Sequence, residues 1–306
     1  MKRLMVTGGA GFIGSNLVDL LVRRGYEVVV LDDLSTGSMS NLERHIGSGY
    51  FRMVEKDICD IEESDLLGID AVFHLSARVD VLDSIEDPME DERVNYKGTL
   101  NVLERCRKAG VNKVMFTSSA AVYGDVAQVP TPEGAPKEPL SPYGNHKYAS
   151  GNMLRMYNVL HGMENVVFRL FNVYGPRQDP TNPYSGVISK FMEWAVQGRD
   201  LTIYGDGGQT RDFVYVMDVA KAFIMAYEKG LSGTFNVGLG AETSINGLAR
   251  KIIGITGSDS GLVHEKNRSG EIYRSCCVNR KLKEALGWVP DTTMEEGLKE
   301  YYDHLG

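Results

Sequence analysis

The chain has 306 residues, of which 42% are hydrophobic and 24% are charged, with a net charge of −8 and a pI near 5.4. This composition is typical of a globular protein with a sizeable core, which excludes the disordered and fibrous classes. The acidic balance argues against nucleic-acid binding, because that function relies on clustered Lys and Arg to neutralise phosphates. Since the apolar runs are too short for a secretion signal or a membrane span, we expect a soluble, cytoplasmic protein.

The first predicted elements are a strand, a helix and a second strand, carried by RLMVTGG, AGFIGSNLVDLLVRRG and YEVVVLDD. In the middle segment Ile13, Leu17 and Leu21 recur at helical spacing, and Gly25 is a typical stop signal after two arginines. The three segments therefore predict one strand–helix–strand unit with parallel strands.

The same alternation continues along the chain. Further short apolar runs are FRMVEKD, DAVFHLSA, KVMFTSSA and NVVFRLFN, with the helical patterns NYKGTLNVLERCRKAG and KYASGNMLRMYNVLHG between them. Strands that alternate with helices predict a parallel sheet with helices on both faces.

The alternation breaks after Asn172, where VYGPRQDPTNPYSGV, with its prolines and glycines, predicts a long functional loop. A helix at about 187–197, the strands LTIYG and FVYV, a helix DVAKAFIMAYEKG and a strand TFNVG follow. The C-terminal part predicts helices at SINGLARKIIG, KLKEALG and MEEGLKEYYDHL. We therefore expect a smaller second lobe that is interleaved with the first.

The four cysteines show no CxxC spacing and no histidines at metal-site intervals. We therefore predict no metal site and no disulfide.

The segment TGGAGFIG places Gly8, Gly11 and Gly14 at the turn between the first strand and the first helix. Glycines there permit a tight turn and a close backbone approach to a pyrophosphate, which would face the positive end of the helix dipole. Asp32 ends the second strand, 18 residues after Gly14, where a carboxylate binds ribose hydroxyls and repels a 2′-phosphate. Together these features predict a dinucleotide site that prefers NAD to NADP, with Asp57 near the adenine.

The predicted fold class is therefore α/β, a doubly wound parallel sheet of the Rossmann type with a smaller, interleaved C-terminal α/β substrate lobe. We predict that the NAD-binding domain comprises residues 1–170 plus about 211–237. The substrate lobe then comprises about 171–210 plus 238–306.

The stretch SPYGNHK places Tyr143 one helical turn before Lys147. A tyrosine is a poor base near neutral pH, and a lysine ammonium close by would favour its phenolate. By itself, this spacing is more often the solvated face of a helix. Beside a dinucleotide turn and the serine-rich strand end TSSAAVYG, it predicts a proton-transfer pair.

These motifs occur in an order that resembles the extended short-chain dehydrogenases, and in particular nucleotide-sugar epimerases of the UDP-galactose 4-epimerase kind. The segments that carry the resemblance are TGGAGFIG, DDLSTG, HLSA, NYKGTLNVL, TSSAAVYG, SPYGNHK, FRLFNVYGPRQDP, YGDGGQTRDFVYVMDVA and RSGEIY. The resemblance implies an isomerase with tightly bound NAD, a UDP-sugar substrate and a 4-keto intermediate. It also implies a homodimer through helices near 89–108 and 144–161.

The resemblance further implies roles for individual residues. Those implied to be catalytic are Tyr143, Lys147 and Ser119. Those implied to bind NAD are Gly8, Gly11, Phe12, Ile13, Gly14, Asp32, Asp57, Ile58, Asn95 and Lys147. Those implied to bind the substrate are Asn172, Arg211 and Arg268 at the diphosphate, Val187, Thr202, Tyr204 and Glu271 at the uridine, and Ser275 beside the sugar 2-substituent.

Several alternatives stay open at this point. A sugar 4,6-dehydratase would need an acid pair where Ala120 and Ala121 stand, which argues against dehydration. Arg78 and Arg177 could serve a C6 carboxylate, so a UDP-uronate 4-epimerase or a decarboxylase is an alternative. A UDP-N-acetylglucosamine 4-epimerase is another, because the small Ser275 leaves room for an N-acetyl group. Another extended short-chain dehydrogenase, or an NAD-sensing regulator, is less favoured, because a regulator would not need the Tyr143 and Lys147 pair. The roles of Arg78 and His146 are not assigned.

Overall fold

A computed structural model describes residues 1–179, 186–267 and 272–305 of the protein. The strands, in chain order, are β1 (Arg3–Thr7), β2 (Glu27–Asp32), β3 (Phe51–Glu55), β4 (Ala71–His74), β5 (Val114–Ser119), β6 (Val166–Leu170), β7 (Asn172–Tyr174), β8 (Leu201–Tyr204), β9 (Thr210–Arg211), β10 (Phe213–Tyr215), β11 (Gly233–Val237), β12 (Thr243–Ser244) and β13 (Leu262–Glu265). The α-helices are α1 (Phe12–Arg23), α2 (Val81–Glu86), α3 (Pro88–Asp91), α4 (Thr99–Ala109), α5 (Pro142–His161), α6 (Val187–Val196), α7 (Val216–Glu228), α8 (Ile245–Thr256), α9 (Arg280–Leu286) and α10 (Met294–Leu305).

Seven strands form one parallel sheet in the order β11-β6-β5-β4-β1-β2-β3. Apolar residues line both faces of this sheet because helices cover each of them. Helices α1 and α7 pack on one face, through residues such as Leu17 and Phe223. Helices α4 and α5 pack on the other, through residues such as Leu103 and Leu154. The predicted α/β fold class is confirmed.

A separate apolar cluster lies in the smaller lobe, where α6, α8 and α10 pack together. Two short parallel pairs, β8 with β13 and β7 with β10, contribute to it. Between α6 and α8 the chain returns to the main sheet through α7 and β11. The smaller lobe is therefore interleaved with the first.

Two segments differ from the sequence predictions. The stretch after Asn172 is predicted to be a loop, but Val173 and Tyr174 belong to strand β7, because Phe213–Tyr215 supplies a parallel partner from a distant part of the chain. The helix expected from Asn95 begins as a π-helical segment, Glu92–Gly98, before it continues as α4.

Among the described residues, no helix is both long and apolar enough to cross a lipid bilayer.

Candidate active site

The turn between β1 and α1 leaves no space for a side chain at Gly8 or at Gly14. Gly8 has a φ of +69°, and a Cβ there would lie 2.6 Å from the main-chain nitrogen of Ser76. A Cβ on Gly14 would lie 2.1 Å from the Gly8 carbonyl oxygen. Only glycine fits at either position. The sequence GGAGFIG therefore folds into a tight turn, with its backbone accessible, directly before the first helix.

Helix α1 begins at Phe12 with Gly11 as its N-cap residue. No side chain caps this end, and its first turn contains no acidic residue. The first N–H groups of Phe12, Ile13 and Gly14 have no partner within the helix, and they carry the positive end of its dipole. This end of α1 is therefore suited to a diphosphate, as predicted from the glycine spacing.

Asp32 lies at the carboxyl end of β2, next to this turn, and it is 6% exposed. Its two carboxylate oxygens each accept a hydrogen bond of 2.9 Å, one from the Ala10 N–H and one from the Leu34 N–H. Burial raises the pKa of Asp32, while these two hydrogen bonds oppose that shift. The carboxylate is therefore fixed in position, and each oxygen keeps a lone pair that a ribose hydroxyl can use.

Asp57 and Ile58 begin the short turn after β3. Asp57 accepts a hydrogen bond of 2.8 Å from the Cys59 N–H and forms an ion pair of 2.9 Å with Arg93. Burial by itself would raise the pKa of Asp57, but the Cys59 N–H and the Arg93 guanidinium together lower it. Ile58 is buried against Gly98, so it contributes an apolar wall.

The Asn95 amide has protein partners for both of its N–H groups. It donates 2.8 Å to the Arg78 carbonyl and 2.7 Å to the Asp91 carboxylate, and it accepts 3.1 Å from the Arg78 N–H. Asn95 therefore fixes the loop after β4, and its implied contact with the cofactor stays a prediction.

The predicted proton-transfer pair lies at the start of α5. Ser141 caps this helix by accepting a hydrogen bond of 3.1 Å from the Gly144 N–H, and Pro142 occupies its first turn. The segment is therefore helical, as predicted. The Nζ atom of Lys147 donates 3.0 Å to the Thr117 carbonyl at the end of β5, and it lies 5.9 Å from the centre of the Tyr143 ring. Ser119 ends β5 and lies close enough to Tyr143 to affect the pKa of its hydroxyl.

The electrostatics of this pair differ from the simple expectation. Burial raises the pKa of Tyr143 to about 12, and the nearby Ser119 side chain offsets this rise only in part. Burial also lowers the pKa of Lys147 to about 7, and the charge of Asp91 opposes that shift. The nearby lysine was expected to favour the phenolate, but in the protein alone desolvation outweighs that effect.

The residues implied to bind the nucleotide lie on elements of the smaller lobe. Thr202 and Tyr204 lie on the same half-exposed face of β8, while Leu201 and Ile203 between them are buried. Val187 is the first residue of α6 and is half-buried. Helix α6 and strand β8 pack against each other, and a shared binding surface for these three residues stays a prediction.

Two of the residues implied to bind the diphosphate and sugar, Arg211 and Ser275, lie near Asp212. This buried carboxylate accepts hydrogen bonds from the N–H groups of Leu239, Gly240 and Cys277, at 2.7, 3.0 and 3.0 Å. It thereby fixes two chain segments, residues 239–240 and Cys277, beside Arg211. The N–H of Ser275 donates 3.2 Å to the Thr210 carbonyl, which brings Ser275 close to Arg211.

The other three predicted substrate residues have separate outcomes. Asn172 is exposed at the start of β7, just beyond the carboxyl end of β6. Arg268 and Glu271 lie outside the described residues, so their roles stay predictions.

Two features of the site were missed by the sequence analysis. The Nδ1 atom of His146 lies 2.6 Å from the carboxylate of Asp91, which is 1% exposed. Asp91 also contributes an electrostatic interaction to both Tyr143 and Lys147. Asp91 had no distinguishing feature within the acidic run EDPMEDE, whereas the sequence analysis named His146, directly before Lys147, without assigning it a role.

The chain is similar to known proteins over nearly its full length. Residues 4–238 match the NAD dependent epimerase/dehydratase family. The UDP-glucose 4-epimerase of Mycolicibacterium smegmatis is 42% identical over 301 residues, which cover 97% of this chain and 96% of that protein.

Two solved structures are also similar over nearly all of both chains. The UDP-glucose 4-epimerase of Thermotoga maritima with UDP-glucose has a TM-score of 0.93 at 40% identity, covering 99% of this chain and 98% of that one. The UDP-N-acetylglucosamine 4-epimerase of Methanobrevibacter ruminantium M1 in complex with UDP-N-acetylmuramic acid has a TM-score of 0.96 at 36% identity, with the same coverage.

The chain belongs to the NAD dependent epimerase/dehydratase family, within the extended short-chain dehydrogenases. It is an NAD-dependent isomerase, as the motif order predicted. The described residues fit this cofactor, because a Cβ at Gly8 or Gly14 would fill the turn that a diphosphate needs, and because Asp32 ends β2 beside it.

Proposed function

We propose that this nucleotide-sugar 4-epimerase interconverts UDP-glucose and UDP-galactose and also accepts the N-acetylated pair. The observation that supports this most directly is the position of Tyr143 on α5, one helical turn before Lys147, whose Nζ atom donates to the Thr117 carbonyl at the carboxyl edge of the sheet. In open α/β sheets this edge is where ligands bind.

In this proposal Tyr143 takes the proton of the sugar 4-hydroxyl, and the carbinol at C4 becomes a ketone. Bound NAD would supply a reversible acceptor for the C4 hydrogen and its electron pair. Ser119 donates a hydrogen bond to the reacting oxygen, and Lys147, through its positive charge, stabilises the Tyr143 phenolate. Tyr143 returns the proton after the sugar has turned over, so atoms and charge balance over the cycle.

The nucleotide half of the substrate stays bound while the sugar turns over. Arg211 and Arg268 are proposed to hold the diphosphate, because a guanidinium presents a forked array of donors to phosphate oxygens. Asp212 supports this assignment, since its carboxylate fixes the main chain at Leu239 and at Cys277 next to Arg211. We propose that the UDP-sugar binds mainly to the lobe of residues 171–210 and 238–306, and NAD to the rest.

Acceptance of N-acetylated sugars is proposed on the size of Ser275. Its main chain is pinned to Thr210, so a small side chain leaves room beside the sugar 2-substituent. A UDP-uronate is the less favoured substrate, because the Arg78 guanidinium lies 3.9 Å from Asp83 and so has a partner already. Dehydration is disfavoured by Ala120 and Ala121, which provide no acid group.

The test is an assay of the NAD-loaded protein with separate UDP-sugars, in which NMR follows inversion at C4. We expect turnover of UDP-glucose and of UDP-N-acetylglucosamine. Tyr143→Phe should lower kcat by roughly 10²- to 10⁴-fold, the usual contribution of general acid–base catalysis. Tyr148→Phe, one residue beyond Lys147 on α5, is the matched control and should keep kcat.

Each part of the proposal has an outcome that contradicts it. Near-full turnover by Tyr143→Phe would remove Tyr143 as the base. Turnover of UDP-glucose without any turnover of UDP-N-acetylglucosamine would overturn the proposal for Ser275. Conversion of a UDP-uronate in preference to both would favour the alternative substrate.

A further inference from the structure

A cavity lies behind α5, between that helix and strands β6 and β11. Its volume is about 500 Å³. It extends from Ser118 near the active site to Asn165 and Gly233, which precede β6 and begin β11. Because the predicted NAD and sugar residues lie at the carboxyl edge of the sheet, most of this cavity belongs to neither of those sites.

The cavity wall is strongly cationic. Lys137, Lys147, Arg155, Arg169 and Lys281 line it, and Glu133 is its only acidic lining residue among those described. Lys147 belongs to the proposed catalytic pair, so the other four cations are the ones that need a separate explanation.

Arg169 is the most deeply buried of these four, at 8% exposure. Its Nη1 atom donates 2.9 Å to the Tyr123 hydroxyl and 3.1 Å to the main-chain oxygen of Glu133. Within the part of the chain that the structure describes, it forms no ion pair with a carboxylate. Burying an unpaired charge is costly, so a guanidinium in this position normally has an anionic partner.

Two neighbouring lysines also donate hydrogen bonds to main-chain carbonyls and form no ion pair with the described residues. Lys137 donates 2.6 Å to the Glu133 carbonyl, and Lys281 donates 2.7 Å to the Thr234 carbonyl. These carbonyls fix the position of each ammonium group without neutralising it. Arg155, on the α5 side, is exposed and likewise forms no ion pair with the described residues.

Another buried arginine, Arg177, does form an ion pair with a carboxylate, so burial without an ion pair is not general for the arginines of this protein. The Arg177 side chain is 6% exposed, and it forms an ion pair of 2.6 Å with Asp19. The four cations behind α5 converge on a common space instead, where an anion would satisfy them together.

We propose that this cavity binds a phosphate-bearing small molecule, at a site separate from the cofactor and the sugar nucleotide. Arg169 lies at the buried end of the site, where its Nη1 hydrogen bonds hold it in place. Its other guanidinium nitrogens can donate two parallel hydrogen bonds to phosphate oxygens. Lys137, Lys281 and Arg155 surround the mouth and bring further positive charge. The wall of the site is α5, the helix that also carries Tyr143 and Lys147.

The test uses inorganic pyrophosphate as the probe, titrated calorimetrically into the NAD-loaded protein at constant ionic strength. The double variant Arg155→Gln/Lys281→Gln removes two exposed cations from the mouth, so it should fold normally, as its melting temperature will check. We expect pyrophosphate to bind to the wild-type protein and to bind at least about tenfold more weakly to this variant, as loss of charge-assisted hydrogen bonds predicts.

Two control variants locate the binding. Arg280→Gln removes an exposed cation beside Lys281 that does not line the cavity, and Arg211→Gln removes one from the proposed substrate site. Arg280→Gln should bind pyrophosphate as the wild type does. Arg211→Gln should lose at most the binding at the proposed substrate site and keep the binding that the double variant weakens. The proposal is overturned if the wild type binds no pyrophosphate, or if Arg211→Gln loses binding while the double variant keeps it. Because the readout is binding, it does not depend on which sugar is the substrate.

Discussion

At position 14 the glycine turn leaves no space for even a methyl group. Gly14→Ala would place its Cβ 2.1 Å from the Gly8 carbonyl oxygen, so the turn or the helix must shift. Such overpacking costs about 1–3 kcal/mol of the free energy of unfolding. We expect a loss of this size in urea denaturation, together with a lower content of bound NAD in the purified protein.

A glycine in open space provides the matched control. Gly254 lies inside α8, and a Cβ there would have no atom within 4 Å. Gly254→Ala should raise the free energy of unfolding by about 0.5–1 kcal/mol, because alanine favours the helix, and should leave NAD content unchanged. If Gly14→Ala behaves in the same way, the turn is not the steric constraint described above.

His74 makes the stability of the protein depend on pH. It is buried between the hydroxyls of Thr7 and Thr99, at 2.7 and 3.0 Å. Burial, reinforced by the charge of Lys147, lowers the pKa of His74 to about 3. In the unfolded chain this pKa is near 6.5, so between these values the unfolded state binds one more proton than the folded state.

Stability should therefore fall as the pH falls below about 6.5, with a contribution from His74 of about 1.4 kcal/mol per pH unit. His74→Gln removes this titration. We expect urea denaturation between pH 4 and 6.5 to give a shallower dependence on pH for the variant. Equal slopes for the two proteins would contradict the buried, neutral His74.

At the scale of the elements, the cap of α5 links stability to catalysis. Ser141→Ala removes the hydrogen bond to the Gly144 N–H and should cost about 1 kcal/mol of the free energy of unfolding. It should also lower kcat, because Tyr143 lies in the same first turn.

Ser244→Ala removes an equivalent cap at α8, whose Ser244 hydroxyl accepts 3.1 Å from the Gly247 N–H. It should cost a similar free energy of unfolding and leave kcat near the wild-type value. Equal losses of kcat in the two variants would indicate that the effect of Ser141 is general destabilisation. Urea denaturation and steady-state kinetics provide the two measurements.

The elements of the main sheet could be predicted because their signals are local. The apolar runs and glycine stops each lie within a few residues of the element that they define, and so does the spacing of Tyr143 and Lys147. Strand β7 could not be predicted in this way, because its partner β10 lies about 40 residues further along the chain.

Parts of the site could not be predicted either, since they depend on distant contacts or on burial. The pair of Asp91 and His146 joins residues 55 positions apart. The raised pKa of Tyr143 follows from its burial, which a sequence pattern does not report. The cavity at Arg169 likewise exists only once α5 packs beside β6 and β11.

At the scale of the whole molecule, exposed apolar side chains support the expected homodimer. Met156 and Leu160 lie one turn apart on α5 and are 46% and 63% exposed, and Met89 in the other predicted helix region is 68% exposed. Exposed apolar groups of this kind mark association surfaces. We expect Leu160→Glu to convert a dimer into monomers, as measured by light scattering after size-exclusion chromatography.

An exposed apolar residue elsewhere serves as the control. Val196, at the end of α6, is 52% exposed and lies outside both predicted interface regions. Val196→Glu should leave the oligomeric state unchanged. A wild-type protein that is monomeric, or a Leu160→Glu variant that stays dimeric, would contradict the expected interface.

The position of β11 at the edge of the sheet also affects how the chain is made. Strand β6 ends at Leu170, and its neighbour β11 begins only at Gly233, after β7, α6 and β8 have been contributed to the other lobe. At typical ribosomal rates the intervening chain takes roughly 3 to 12 s to synthesise. Throughout that interval the emerging polypeptide has an unpaired strand edge at β6, where another nascent chain could add. The interleaving that places two lobes around one site therefore delays closure of the sheet until most of the protein has left the ribosome.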